Sequence, residues 1–375
     1  MSVNRDLRLY LRVLYSLGML CAEFDVGTCT LHVTRSSERY AWFYTLVILS
    51  AAIALFIYAH IEPKQFYLPN YNRTGNFYET VNFRSSCMVL WLLYVCFYVR
   101  RHRHAALVQT LLRLNRRCID LKLQRRFLGN FVLYVMLFLL CVGNYLNGFS
   151  QSGLSPFAIA VYMITYSYSF LVMCLLLVFF DCLRWILTSG IQHYNHILQR
   201  NSPQIWRKAL HARQSLIKLG TDELNECFGL LFLPIIALVL LVANDGPFYL
   251  ISTVFESKFG SGWQSLSIGV TACFWSMPWL IMLVMLHNNT LSEEANKTAK
   301  ILAKMPRTGT GLDRMVDKFL LKNLRQQPIL TAYGFFALDK STLFKLFTAI
   351  FTYMVILVQF KEMENSTKSL QAYQL

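Results

Sequence analysis

Long uncharged stretches, broken at intervals by short basic segments, set the rhythm of this chain. Ala41 to Ala59 carries no ionisable side chain that would be charged at neutral pH, and Phe127 to Phe180 carries none over a length sufficient for two membrane crossings. Within the second stretch the polar, Gly-containing segment Asn147 to Pro156 predicts a tight turn between two helices. About 20 apolar helical residues cross the hydrocarbon of a bilayer, and on that rule the pattern predicts seven helical spans. They run over about 41–59, 80–99, 127–147, 157–180, 227–252, 263–287 and 341–360. In the second span Arg84 is expected to snorkel toward the membrane surface, and spans one to six otherwise keep charged groups out of their cores. Pro234 and Pro278 are expected to kink the fifth and sixth. Residues 1–40 form an N-terminal segment in which Arg5, Arg8 and Arg12 thread a short apolar run. That run reads as an amphipathic helix on the inner membrane surface rather than as a cleaved signal.

The expected fold is therefore all-α and integral to the membrane, and composition agrees. Of 375 residues, 55% are hydrophobic and only 15% charged, with a mean hydropathy of +0.40; soluble domains carry about 25% charged residues. The net charge of +16 is dispersed, so it points to cytosolic loops beside an anionic leaflet and to membrane lipid, not to nucleic acid.

Basic residues also orient the chain. Alternate segments, including 288–340, hold 29 Lys and Arg on one side against 6 on the other. By the positive-inside rule the N-terminus is cytosolic and the tail 361–375 extracellular. A G-protein-coupled receptor has seven spans in the opposite sense, and neither DRY after span three nor NPxxY in span seven is present. The sequon at Asn72 falls in the long external loop and that at Asn365 in the external tail, which makes both candidate glycosylation sites.

Signatures of catalysis are missing: there is no HExxH, GxSxG or Walker A sequence, and the eight histidines lack ligand spacing. No enzyme activity, cofactor or metal is expected. A secondary transporter would usually show two matched halves with interrupted helices, and no internal repeat is found.

Span seven differs from the others. At 100° per residue, Lys345, Thr348, Thr352, Val355, Gln359 and Glu362 fall within about 100° of one helical face. A continuous polar line in lipid must meet protein or water. It is either an interhelical hydrogen-bond seam with Thr as glue or one wall of a pore. Glu362 and Glu364, repeated around a symmetric oligomer, would form a carboxylate ring attracting cations.

The segment from Thr352 to Phe360, TYMVILVQF, fits the TYhhhhhQF signature that closes the last span of insect gustatory receptors. Gly334-Phe335-Phe336-Ala337-Leu338-Asp339, followed by Thr342-Leu343-Phe344, is similar to the same family's approach to that span. About 30 C-terminal residues thus match specifically, and the rest resembles the family in architecture. The resemblance implies a tetrameric ligand-gated cation channel lined by span seven of each subunit, in the plasma membrane of gustatory neurons. Gln359 and Phe360 would form or flank the external gate, and hetero-oligomers with related receptors are plausible. It also implies a ligand pocket in the outer halves of spans one to six, and cytosolic extensions of spans two to five over Ala105 to Arg126 and Thr221 to Leu230.

Orientation then selects the residues able to line that pocket: Asn144, Tyr145 and Asn147 on span three, Tyr162 and Tyr166 on span four, Asn244 and Asp245 on span five, and Gln264, Ser265, Thr271 and Trp275 on span six. Tyr162 and Tyr166 share one helical face. Aromatic rings with a few polar groups suit a small amphipathic molecule or a stacked sugar. Met354 stands where sugar receptors of the family often carry an acidic residue. The expected ligand is accordingly a bitter or deterrent tastant, with a contact pheromone as rival and a fructose-type sugar not excluded. Metabotropic signalling and transport are the alternative mechanisms.

Overall fold

The computed structural model describes residues 3–25, 30–67, 73–118, 121–150, 154–200, 203–248, 276–304, 314, 316–317 and 330–373. Among them the architecture is helical, with two short antiparallel hairpins. In chain order the helices are α1 (Val3–Ser16), α2 (Arg35–Ile61), α3 (Arg73–Val99), α4 (Arg101–Cys118), α5 (Leu121–Ser150), α6 (Pro156–Arg200), α7 (Pro203–Lys218), α8 (Asn225–Val242), α9 (Thr290–Ala303) and α10 (Lys340–Tyr373). A further helical stretch covers 276–286. Strands β1 (Glu23–Asp25) and β2 (Thr30–His32) pair near the N-terminus, and β3 (Thr331–Ala332) pairs with β4 (Phe336–Ala337) just before α10.

Among the described residues five helical stretches are long and apolar enough to cross a membrane: Arg35–Ile61, Gly75–Val99, Pro156–Arg200, Trp206–Phe248 and Lys340–Glu364. Phe131–Gly143 within α5 is a shorter apolar one. The expected sixth span lies outside the described residues apart from its last part, 276–286.

Local chemistry sets the helix starts. Thr34 and Ser37 form a capping box on α2, in which Thr34 Oγ1 accepts from the Ser37 N–H at 3.2 Å and Ser37 Oγ accepts from the Thr34 N–H at 3.0 Å. Ser155 caps α6, accepting from the Ala158 N–H at 3.2 Å, with Pro156 in the first helical turn where its missing N–H costs nothing. Asp339 Oδ1 accepts from the Thr342 N–H at 2.7 Å and so caps α10.

Helix α6 is the axis of the fold. Its 45 residues span about 68 Å at 1.5 Å each, far more than the hydrocarbon thickness, so it runs well beyond the membrane. Every residue from Val172 to Asp181 is buried. Such a run has no lipid-facing side and marks a helix enclosed by others; along its length α6 packs on α3, α4, α5, α7 and α9, and Phe179 and Phe180 meet Phe228 of α8. The fourth span was expected to end at Phe180. The helix that carries it continues through Asp181 and Arg184, two charges that pair with each other inside the protein.

The other departures have the same origin. Helix α3 begins at Arg73 rather than near 80, bringing Tyr78, Glu79 and Asn82 into the bundle. Arg84 is half-buried, and its guanidinium donates to the Ala59 carbonyl, near the end of α2, at 3.0 Å. Helix α1 turns an apolar face formed by Tyr10, Leu11 and Leu14 into the bundle core, where the Tyr10 hydroxyl donates to the Leu175 carbonyl. That face therefore meets protein rather than lipid.

A close approach joins α8 to the β3–β4 hairpin. A Cβ added to Gly229 would lie 2.6 Å from the Tyr333 backbone nitrogen, so only glycine admits the turn at this distance. Tyr333 and Gly334 both take positive φ, 51° and 80°, to reverse the chain there. Asn225 Oδ1 accepts from the Thr331 N–H at 3.0 Å and fixes the hairpin on α8.

Candidate functional site

Two polar centres are buried in the bundle, one near the start of α6 and one at its middle. The first lies where α3 and α6 begin and α8 ends. Tyr166 donates to Glu79 Oε1 at 2.8 Å, and Asn82 Nδ2 donates to Asp245 Oδ1 at 2.6 Å. All four side chains are buried, Asn82 completely. Burial of a carboxylate is tolerated only with compensating hydrogen bonds. Here α6 and α3 each supply one, and no Lys, Arg or His pairs with either carboxyl group among the described residues.

Aromatic rings enclose this centre. Tyr162 and Tyr166, one turn apart on α6, stack with centroids 5.8 Å apart and planes 8° apart, and Phe83 of α3 stands edge-on to both. Phe66, in the turn after α2, stacks on Phe83 at 5.2 Å, and its carbonyl accepts from the Tyr162 hydroxyl at 2.8 Å. The 3.6-residue period puts Tyr162, Thr165, Tyr166 and Ser169 on one side of α6, and all four are buried. Thr165 Oγ1, Ser169 Oγ and Asn82 Oδ1 have no hydrogen-bond partner among the described residues.

The same centre touches α10. Tyr78, beside Glu79 in the chain, donates its hydroxyl to the Leu241 carbonyl. Its ring lies 5.8 Å from Phe248 and 6.2 Å from Tyr353, and Leu357 completes this small cluster. Tyr78 thus links the carboxyl groups to the last helix through a single residue.

The second centre is an ion pair. Arg184 bonds Asp181, whose other oxygen accepts from the Tyr134 hydroxyl at 3.3 Å, and the guanidinium also donates to the carbonyls of Leu286 and Asn288, at 3.3 Å each. It therefore neutralises a buried carboxylate and closes the C-terminal end of the 276–286 helix. Farther along, Arg213 donates to Thr298 Oγ1 at 3.0 Å and to the Ala295 carbonyl at 2.6 Å, while Asn195 Nδ2 donates to the Glu294 carbonyl at 3.0 Å. These contacts bind α6, α7 and α9 into one unit.

The expected pocket residues divide. Tyr162, Tyr166 and Asp245 come together at the first centre, and Asn244 folds back on the Leu240 carbonyl at 2.7 Å. Gln264, Ser265, Thr271 and Trp275 lie outside the described residues, as do the side chains of Asn144, Tyr145 and Asn147 and both sequon asparagines, Asn72 and Asn365. Glu79, Asn82 and Tyr78 were missed in the sequence. The signal was available: a lone acidic residue immediately before an assigned span, on the side that Asn82 and Ser86 continue.

The expected polar line on α10 is exposed along its whole length in the single chain. Lys345, Thr348, Thr352, Val355, Gln359 and Glu362 all face outward, as does Phe360. Thr348 and Thr352 donate to the carbonyls four residues back, Phe344 and Thr348, at 3.0 and 2.9 Å. Their oxygens are left as acceptors on the exposed face.

Comparison with known proteins follows this geometry. The family model described as 7tm Chemosensory receptor matches residues 7–364. Gustatory and pheromone receptor 39a, isoform A, of Drosophila melanogaster is 58% identical over 373 residues, covering 99% of this chain and 100% of the relative. Isoform D of the same fly receptor is 45% identical, covering 98% of each. Among solved structures, the insect olfactory receptor OR5 from Machilis hrabei, in complex with eugenol, aligns over 95% of this chain and 97% of its own. The TM-score is 0.67 at 10% identity, so the likeness is one of fold. None of these is an enzyme, and the apolar helices mark a multi-pass membrane protein. The chain belongs to the 7tm chemosensory receptor family, among the insect gustatory receptors.

Proposed function

We propose that this chain is one subunit of a tetrameric, ligand-gated, nonselective cation channel in the plasma membrane of gustatory neurons. One observation carries the reading: the polar line of α10 is exposed from Lys345 to Glu362 in the single chain. A helix in lipid gains nothing by exposing such a line, whereas four copies around an axis would turn it to water. Thr348, Thr352, Val355 and Gln359 then line the pore, Phe360 flanks its outer gate, and Glu362 stands at its mouth with the N-terminus in the cytosol. A hetero-oligomer with related gustatory receptors uses the same surface.

The ligand of this reading is a small nonvolatile molecule received between α3, α6 and α8, with the Tyr78–Tyr353 contact carrying its effect to α10. A bitter or deterrent compound fits an aromatic, largely apolar enclosure. A contact pheromone is the second reading, favoured by the gustatory and pheromone receptor name of the relatives.

Excised-patch recording from cells expressing the chain, alone and with related receptors, tests the proposal. Unitary cation currents evoked from the external face by bitter compounds, sugars or cuticular lipids are expected. Surface expression with silence under every ligand and partner, together with an externally accessible N-terminal tag, would overturn it in favour of metabotropic signalling.

A further inference from the structure

We propose that the buried Glu79–Asp245 pair is the recognition site for a positively charged amine, so that the receptor's ligand is an organic ammonium carried on an aromatic or apolar body. The inference rests on the ligand-receptor reading above and names the chemical class that reading leaves open.

The donor and acceptor inventory leads to it. Glu79 and Asp245 reach one region from α3 and from the end of α8, and each is a net acceptor once ionised. Their only partners among the described residues are the Tyr166 hydroxyl and the Asn82 amide. Two carboxylates repel, and no cation of the described residues offsets them. Asn82 is completely buried, and its Oδ1, on the same amide that donates to Asp245, has no partner among the described residues. An amide oxygen buried without a partner is costly, and a ligand N–H would relieve that cost. The site therefore calls for a donor, and a cationic one would supply the counter-charge that lets the two carboxyl groups ionise together.

The surrounding surface fits the same guest. Tyr162, Tyr166 and Phe83 present ring faces and edges beside Glu79, and Phe66 closes the group. Ammonium groups bind aromatic faces through the ring quadrupole, most strongly when desolvated. A metal ion fits less well: calcium takes 6–8 oxygen ligands, and no group of three metal-binding side chains occurs among the described residues. The rings contact one another directly, so an amine would separate them. Tyr78 joins this centre to Tyr353 of α10, which makes that separation a gating displacement.

The test uses a panel of aromatic alkylamines, among them 2-phenylethylamine, each matched with its uncharged alcohol, at pH 7. Binding is read by thermal stabilisation of the purified full-length receptor, and gating by patch recording. Expected is stabilisation by amines and not by the matched alcohols, with half-saturation raised at least tenfold in Glu79→Gln and in Asp245→Asn. Equal binding of amines and alcohols, or no binding by any amine, overturns the proposal; so does sodium or calcium stabilisation that Glu79→Gln abolishes while amines have no effect. If a variant fails to fold, the amine–alcohol comparison on the unaltered receptor decides alone. Amine binding without current would refute the channel and leave the amine site standing. Currents evoked only by uncharged compounds would do the reverse.

Discussion

Replacing Gly229 with alanine sets two effects of opposite sign against each other. In an open helix interior the change stabilises by about 0.5–1 kcal/mol, because glycine is the poorer helix former. At Gly229 the new Cβ would sit 2.6 Å from the Tyr333 nitrogen, 3.0 Å from its Cα and 3.2 Å from the Thr331 oxygen. All three are backbone atoms, so no side-chain rotation relieves the clash. The hairpin would have to retreat by roughly 1 Å, a strain of about 1–3 kcal/mol. The same retreat would stretch the 3.0 Å bond from the Thr331 N–H to Asn225 Oδ1 beyond hydrogen-bonding distance, a further loss of about 1 kcal/mol. Net destabilisation of about 1–3 kcal/mol is expected, since the backbone clash outweighs propensity. Gly143 in α5 is the control: its added Cβ would meet nothing within 4 Å, and Gly143→Ala should be neutral or slightly stabilising. Thermal unfolding of detergent-purified protein compares the two. In domains of 150–250 residues 1 kcal/mol moves Tm by about 2–4 °C, so a fall of a few degrees is expected for Gly229→Ala alone. A Gly229→Ala melt equal to or above that of the unaltered chain would refute the reasoning.

Three further outcomes are expected. Gln359→Ala and Thr352→Ala should change the gating or ion selectivity of recorded currents, and unchanged currents in both would remove the pore assignment of α10. Asp181→Ala leaves the Arg184 guanidinium buried without its carboxylate and should cost about 3–5 kcal/mol; the double change Asp181→Leu with Arg184→Met should recover much of that loss in surface expression and melting. Burial, helped by the Arg100 charge, pushes His104 down to about 3, so it is neutral in the folded chain while its unfolded counterpart titrates near 6.5. Its contribution is complete above about pH 6.5 and falls as pH drops toward 3, by up to about 1.4 kcal/mol per unit. His104→Leu should flatten the acid limb of a melting-temperature profile; an unchanged difference between pH 7 and pH 5 would count against the assignment.

Uncharged length was a good guide to α2 and to the first half of α6, because a bilayer excludes isolated charge. The same rule set the expected span limits at Phe180 and near 80, whereas the helices carry on through Asp181 and begin at Arg73, with Asp181 and Glu79 compensated inside the protein by Arg184 and by Tyr166. Compensation depends on residues such as Arg184 three places on, or Tyr166 on another helix, and only the latter is beyond any local pattern. The helical period placed Tyr162 and Tyr166 on one face, and they stack. It could not show that Phe66, 96 positions earlier, would receive the Tyr162 hydroxyl. The amphipathicity of α1 was legible too, but not whether lipid or Phe131 and Phe179 would meet its apolar side.

The enclosed middle of α6 has a mechanical meaning. From Val172 to Asp181 the helix is gripped on all sides, while its two ends carry the aromatic centre at Tyr162 and the Asn195 contacts to α9. A stiff rod held at its middle cannot slide, but it can tilt, and tilting moves its ends in opposite directions. Taking the middle of the grip near Leu176, Tyr162 lies about 21 Å away on one arm and Asn195 about 28 Å on the other, at 1.5 Å per residue. A sideways push of 1 Å at the tyrosines, transmitted by a rigid α6, therefore becomes a sweep of about 1.4 Å the other way at Asn195, with the buried collar as its fulcrum.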